Sequence, residues 1–300
     1  MFEIKDLAGL SGLSEPITKL VESVSKGLGV LYEPTHVRRM AKAEVFRKRC
    51  LNDVEAELTG DSYALEVLIS KEVKKQINID SIVHKAIEFI SENESISEES
   101  VDEDWMTRFI DISQNISNEE MQNLWAKILS DEVSKPNSYS LRTLELLKNL
   151  SSNEAKLFVN FTKLGFILGG RLMVVKSKEF LESYNILLND QSLLQELNLI
   201  DSNFGYSIDR GEEIIVDYCG KKVFIKNNSI RQLKFSVLIT TKFGNELNGL
   251  IDKTYDEQIL RDIANAIRLG NRSAPESVEI YFINENSSTS NNEEITYTYI

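Results

Sequence analysis

Scarcity is the first information in this chain. Its 300 residues hold only 2 Cys, 2 His, 4 Pro and 2 Trp. Cys50 and Cys219 cannot build the disulfide framework of a small secreted domain. So few prolines, with 14 glycines, exclude collagen-like and proline-rich architectures. No stretch of roughly 18 residues is free of charge, the minimum for a transmembrane helix. The most apolar run, Leu164 to Val175, is short and broken by Gly169, Gly170 and Arg171. Positive charge is also scarce: 34 Lys+Arg face 47 Asp+Glu, a net of −13. A protein that coats nucleic acid needs the opposite balance to displace counterions. The N-terminus, MFEIKDLAGLSGL, lacks the basic leader and apolar core of a secretory signal. The expectation is a cytoplasmic protein with reduced thiols. What is present is ordinary: 42% hydrophobic and 27% charged residues, enough for sizeable cores and too apolar for a wholly disordered chain.

Periodicity predicts an α+β protein, mainly α, with a helical domain over residues 1–165. Ile17, Leu20, Val21, Val24, Leu28 and Leu31 recur in steps of three and four, with Ser14 as N-cap and Pro16 just inside the start. Gly27 and Gly29 on this helix permit close approach, which suits a core or oligomer helix. Its polar face is neutral, which argues against a membrane surface. A second helix is expected over 35–58, then two more over 62–78 and 80–91, with Asp80 capping the latter. Residues 92–104 carry seven acids and no base, which predicts an exposed acidic loop. Helices are expected again over 105–115, after Ser117 with Glu120 in a capping box, over 140–150, and from Ser151 with Glu154.

After Gly165 the pattern mixes. The spacing predicts a strand over 172–175, short helices over 177–188 and 190–200, and a hairpin of 213–218 with 222–226 around Cys219-Gly220-Lys221. A strand over 235–240, helices over 243–251 and 257–269, and a last strand over 277–283 follow. Residues 166–283 thus read as a smaller mixed, winged-helix-like domain, and 284–300 as a flexible polar tail.

Most signatures of chemistry are missing. There is no Cys-x-x-Cys, no His-Glu-x-x-His, no phosphate-binding Gly-Lys-Ser/Thr run and no Gly-x-Ser-x-Gly. His36 and His84 stand alone, so no metal and no cofactor are expected. Cys50, beside Arg47, Lys48 and Arg49, and Cys219 are the candidate nucleophiles, but no base is positioned by sequence. A cryptic metal-dependent nuclease could draw on Asp209, Glu213 and Asp217 with Lys222. The plainer reading is alternating charge on an exposed hairpin.

Two constellations could bind. Arg38, Arg39, Lys42, Arg47, Lys48 and Arg49 face only Glu44, the single clearly basic patch, suited to phosphates or an acidic partner. A winged-helix module would read DNA through a basic helix. The candidate here, Ser192 to Ile200, has one acid and no base, and residues 151–300 hold 16 bases against 20 acids. Protein contact suits it better.

A central block carries a resemblance. Leu124, Trp125, Ala126 and Leu129 precede Pro136-Asn137-Ser138-Tyr139, then Ser140, Leu141, Arg142, Leu144, Leu147, Lys148, Leu150, Ser151, Glu154 and Ala155. This block resembles a bacterial family described as a domain of unknown function and, more distantly, the abortive-infection alpha group. Pro16 to Pro34, Leu194 to Ile200 and residues 238–244 resemble its flanks. Ser130 and Asp131 depart from the smaller residues usual there. Physically the block is a packing motif: Trp125 and the leucines are anchors, Ser138 or Ser140 caps a helix, and Arg142 is expected to reach an acid such as Glu132. The resemblance implies a place among phage-defence proteins and carries over no catalytic residue. The expected function is therefore non-enzymatic antiphage defence through sensing or protein–protein assembly, with a protein partner or a homo-oligomer. Nucleic-acid binding through residues 38–49 and a cryptic nuclease are the alternatives.

Overall fold

The computed structural model describes residues 14–29, 32, 62–90, 97–228, 231–269, 278–284 and 296–300. The chain is mixed α/β with helix predominating, and its described strands form one antiparallel sheet. It divides into two compact units, Met1–Lys148 and Asn149–Ile300. The basic cluster at 38–49, together with His36 and Cys50, lies outside the described residues.

The first unit contains α1 (Glu15–Leu28), α2 (Ser62–Phe89), α3 (Glu103–Ser113), α4 (Glu119–Ser134) and most of α5 (Leu141–Asn149). The apolar stripe of α1 buries Leu20, Val21 and Val24 completely. A Cβ on Gly27 would lie 2.4 Å from Met106 Cγ, so the glycine lets α1 press against α3. The small residues of α1 thus serve packing within the chain. The helix stops at Leu28, short of the expected end, because Gly29 turns left-handed (φ 68°) and its N–H returns to the Lys26 carbonyl. Stacked and tilted rings of Trp105, Phe109 and Trp125 fill the core, with centroids 5.3 and 5.4 Å apart.

Three expectations change in this unit. The helices predicted at 62–78 and 80–91 are one continuous helix. Asp80 is no cap; it is buried inside the helix, where Gln76 donates to its carboxylate, and the Asn78 amide donates to the Gln114 carbonyl. Partners from neighbouring turns and elements satisfy the polar groups that read as a break. The acidic run is not all loop: Asp102 caps α3 by accepting from Trp105 N–H at 2.8 Å, and Glu103 and Asp104 form its first turn. Acids there meet the positive end of the helix dipole. Residues 91–96 lie outside the described residues. The cap of α4 is Asn118, which accepts from Met121 N–H, one position after the expected Ser117.

The second unit runs α6 (Ser152–Lys163), β1 (Gly165–Leu168), β2 (Arg171–Val175), α7 (Lys178–Ser183), α8 (Leu188–Glu196), β3 (Ile200–Asp209), β4 (Glu213–Tyr218), β5 (Lys221–Asn227), β6 (Gln232–Thr240), α9 (Lys242–Asn248), α10 (Glu257–Leu269), β7 (Val278–Asn284) and β8 (Thr296–Tyr299). The sheet order is β3-β6-β2-β1-β4-β5-β7-β8. Helix α6 packs on β2 and α8, so the boundary expected at 165 falls instead between Lys148 and Asn149.

Strict alternation makes the central strands. Val216, Tyr218, Val223, Ile225, Ile280 and Phe282 point to the core, while Phe224 stacks on Tyr281 across β5 and β7 on the other face. Strands β1 and β3 were not expected. Residue 200 was expected to end a helix and no element was expected over 201–209, yet residues 200–209 pair with β6 from Ile200↔Thr240 to Asp209↔Gln232 around a bulge. Helix α8 consequently ends at Glu196, before the expected 200. The tail predicted as flexible ends in a strand: β8 pairs with β7, and Arg268 donates to the Ile300 carbonyl at 2.6 Å. Residues 285–295 lie outside the described residues.

Candidate functional site

The family-like block runs from the middle of α4 through α5 to the start of α6, and its geometry is structural. Trp125, Ala126, Leu129 and Leu144 are fully buried, and Leu147 and Leu150 nearly so. Leu124 is half-buried, while Leu141, Arg142, Lys148 and Ser151 are exposed. Glu132 is 1% exposed. Its carboxylate accepts from the backbone N–H of Asn137 at 2.7 Å and of Tyr139 at 3.0 Å. That pair of bonds holds the turn in which Asn137 is left-handed (φ 69°). Tyr139 in turn donates its hydroxyl to Asp131, and its carbonyl accepts from Trp105 Nε1. The role expected of Arg142 is thus taken by backbone amides, and Arg142 faces solvent. Ser140 accepts from Thr143 N–H and begins α5, whereas the Ser138 hydroxyl donates back to Lys135. Ser151 and Glu154 form the expected reciprocal capping box. Hydrogen bonding to the Glu154 carboxylate from the Ser151 backbone N–H, and then from its side chain, favours the charged form and holds the Glu154 pKa below its ordinary value.

The nuclease candidates do not converge. Asp209 accepts from Gln232, Glu213 from Tyr281, and Asp217 sits opposite Lys222 in the β4–β5 ladder. Among the described residues no three His, Cys, Asp or Glu side chains form a metal-binding group. His84 is exposed on α2 beside Glu88.

A different arrangement forms in the second unit. Cys219 and Gly220 both take positive φ (51° and 82°), which makes the tight two-residue hairpin turn between β4 and β5. Asp217 Oδ1 accepts from Gly220 N–H at 2.9 Å and fixes the turn. The hairpin then anchors residues 253–256. Cys219 Sγ donates to the Thr254 carbonyl, Tyr218 donates its hydroxyl to the Asp256 carbonyl, and Lys221 Nζ lies 3.7 Å from the Tyr255 ring centroid. Lys253 is thereby set into a cleft of about 230 Å³ shared with Ile167, Asp217, Cys219, Asn248 and Ile251.

The electrostatics of this cleft are distinctive. Burial disfavours the ammonium of Lys253 and pushes its pKa down to about 8, against the opposing pull of Cys219 and Asp217. Burial pushes the Cys219 thiol up, more than Lys253 draws it down. Cys219 is therefore a neutral thiol at pH 7. Among the described residues Lys253 makes no ion pair. Asn248, 9% exposed at the end of α9, has a buried Oδ1 with no hydrogen-bond partner among the described residues. The sequence named Asp217 and Cys219 for other roles and missed Lys253 and Asn248. Neither belongs to a motif; the hairpin and the end of α9 bring them together.

These features define a two-unit α/β protein with a structural central block and a polar cleft in the sheet-bearing unit. The chain belongs to the family described as protein of unknown function (DUF2806), whose profile matches residues 67–264. The match spans the central block and the cleft alike. No curated protein and no solved structure matches the chain. No described helix is long and apolar enough to cross a membrane.

Proposed function

We propose that this chain acts by binding a protein partner, as a non-enzymatic cytoplasmic component of bacterial antiphage defence. The observation that supports the reading is the order of elements in the second unit, which we read as winged-helix-like. Helix α6, strand β2, helices α7 and α8, then β3 and β6 follow in sequence, with β6 between β3 and β2 in the sheet. The β4–β5 hairpin is inserted where a wing would lie. In a DNA reader the helix corresponding to α8 is basic. Here α8 contains Asp190 and Glu196 and no base, and Leu188 at its start is 71% exposed beside exposed Leu187. An acidic helix with an apolar tip suits a protein surface. The abortive-infection resemblance of the central block supports the defence context.

The test is phage plating on bacteria expressing the chain with its neighbouring genes, paired with light scattering of the purified protein. Protection by the parent, lost in L187D/L188D with the fold retained, supports the reading. A parent that never protects and stays monomeric overturns it. A salt-sensitive gel shift, abolished by reversing the charges at Arg38, Arg39, Lys42, Arg47, Lys48 and Arg49, would put nucleic-acid binding in its place.

A further inference from the structure

We propose that the outer edge of β8 is the interface through which two copies of this chain pair, β8 against β8 antiparallel, into one continuous sheet. The sheet ends in β3 on one side and β8 on the other, and the two edges differ. A bulge between Asp201 and Phe204 interrupts β3, and Asp201 and Asp209 charge its ends, which are ordinary defences against strand addition. Strand β8 is regular along its pairing with β7 and carries no charged residue, and its Thr and Tyr residues favour extended backbone. Among the described residues no strand pairs with its outer side. Ile300 fixes the phase of the ladder: its N–H donates to the Ile280 carbonyl at 2.9 Å. Bonded and non-bonded pairs alternate in an antiparallel ladder, so Tyr281 and Tyr299 form a non-bonded pair. The N–H and C=O of Tyr299, and of Tyr297 two positions back, therefore point away from β7.

A row of side chains leads to the same edge. Ile215, Phe224, Tyr281 and Tyr299 stand opposite one another on the face turned from the core. Phe224 and Tyr281 stack at 5.2 Å, and Tyr281 meets Tyr299 at 5.6 Å. Each inner ring is flanked by a residue of the next strand. Tyr299 is last in the row and 61% exposed. The stacking continues only if another strand is added there. A second copy of the chain is the occupant that fits. Antiparallel pairing about a twofold axis at Thr298 sets Tyr299 opposite Tyr297 of the partner subunit, and the outward N–H and C=O groups of both positions then bond reciprocally. Charge favours the same occupant. At a net of −13 two copies repel wherever acids face acids, and β8 brings none. Beside the row, Glu213, Lys226 and Glu279 on one flank and Asp217 and Lys222 on the other nearly cancel. This edge shares no residue with the α8 tip, so the inference holds whether or not α8 binds a partner.

The experiment is sedimentation velocity of the full chain across the micromolar range, with hydrogen exchange of the same samples read by mass spectrometry. Sedimentation should pass from monomer to dimer, and exchange within 296–300 should slow about threefold or more from the dilute to the concentrated sample. Y299P removes an outward N–H and no β7–β8 bond, so it should keep the parent's circular dichroism and stay monomeric. Y299F keeps both the ring and the N–H and should dimerise like the parent, as should L187D/L188D. A parent that stays monomeric throughout overturns the proposal. So does a dimer whose 296–300 segment exchanges equally fast in dilute and concentrated samples. A folded Y299P that dimerises like the parent, or loss of the dimer in L187D/L188D, overturns it too, since another surface would then hold the copies together. Phage plating is a separate readout: a chain that dimerises through β8 and never protects would count against the defence reading and leave this one intact.

Discussion

The Glu132 turn and the Asn248 cleft treat buried polarity in opposite ways. In the first, a carboxylate at 1% exposure meets two backbone donors within 3.0 Å. In the second, the Asn248 amide oxygen is buried with no hydrogen-bond partner among the described residues. A satisfied buried acid stabilises the loop it organises. An unsatisfied group costs stability.

Substitutions can break or sharpen that contrast. The largest effect is expected for E132A, which strands the buried Tyr139 N–H and the part-buried Asn137 N–H and should cost about 3 kcal/mol. E132Q keeps one good acceptor and should cost about 1 kcal/mol. Urea unfolding followed by tryptophan fluorescence reports both, since Trp105 and Trp125 lie in the same unit as Glu132. N248A is the counterpart: it removes an unpaired buried oxygen and no hydrogen bond among the described residues, so stability followed by circular dichroism should not fall and should rise by about 1 kcal/mol. A loss comparable to that of E132A would show that Asn248 is structural and dissolve the comparison.

Proton linkage sharpens it further. Lys253 has a folded pKa below its unfolded one, so between about pH 8 and the ordinary lysine range the unfolded chain binds more protons. Stability should rise with pH across that window, and K253Q should remove this part of the rise. Glu154 gives the same sign in an acidic window: its lowered pKa gives stability present above the unfolded carboxylate value and lost as pH falls through the folded one. E154Q should weaken the acid dependence slightly and cost about 0.5 kcal/mol at neutral pH, the smallest effect of the set.

Much of this was legible because it is local. The apolar stripe of α1, the Ser151–Glu154 capping box, the Cys219-Gly220 hairpin and the span of α10 are each written within one or two turns of chain. The continuity of α2 through Asp80, the polar strand β3 and the closing strand β8 were hidden. Each depends on a partner far along the chain: Gln114 for Asn78, β6 for β3, β7 for β8.

The order of residues by itself determined the helical first unit, the alternating central strands and the turn chemistry, because backbone preference and hydrophobic period act over a few residues. Only the tertiary structure decided where Glu132 spends its charge and that Lys253 and Asn248 share one cleft. Desolvation and hydrogen-bond satisfaction depend on which distant segments surround a group, and no local pattern encodes that.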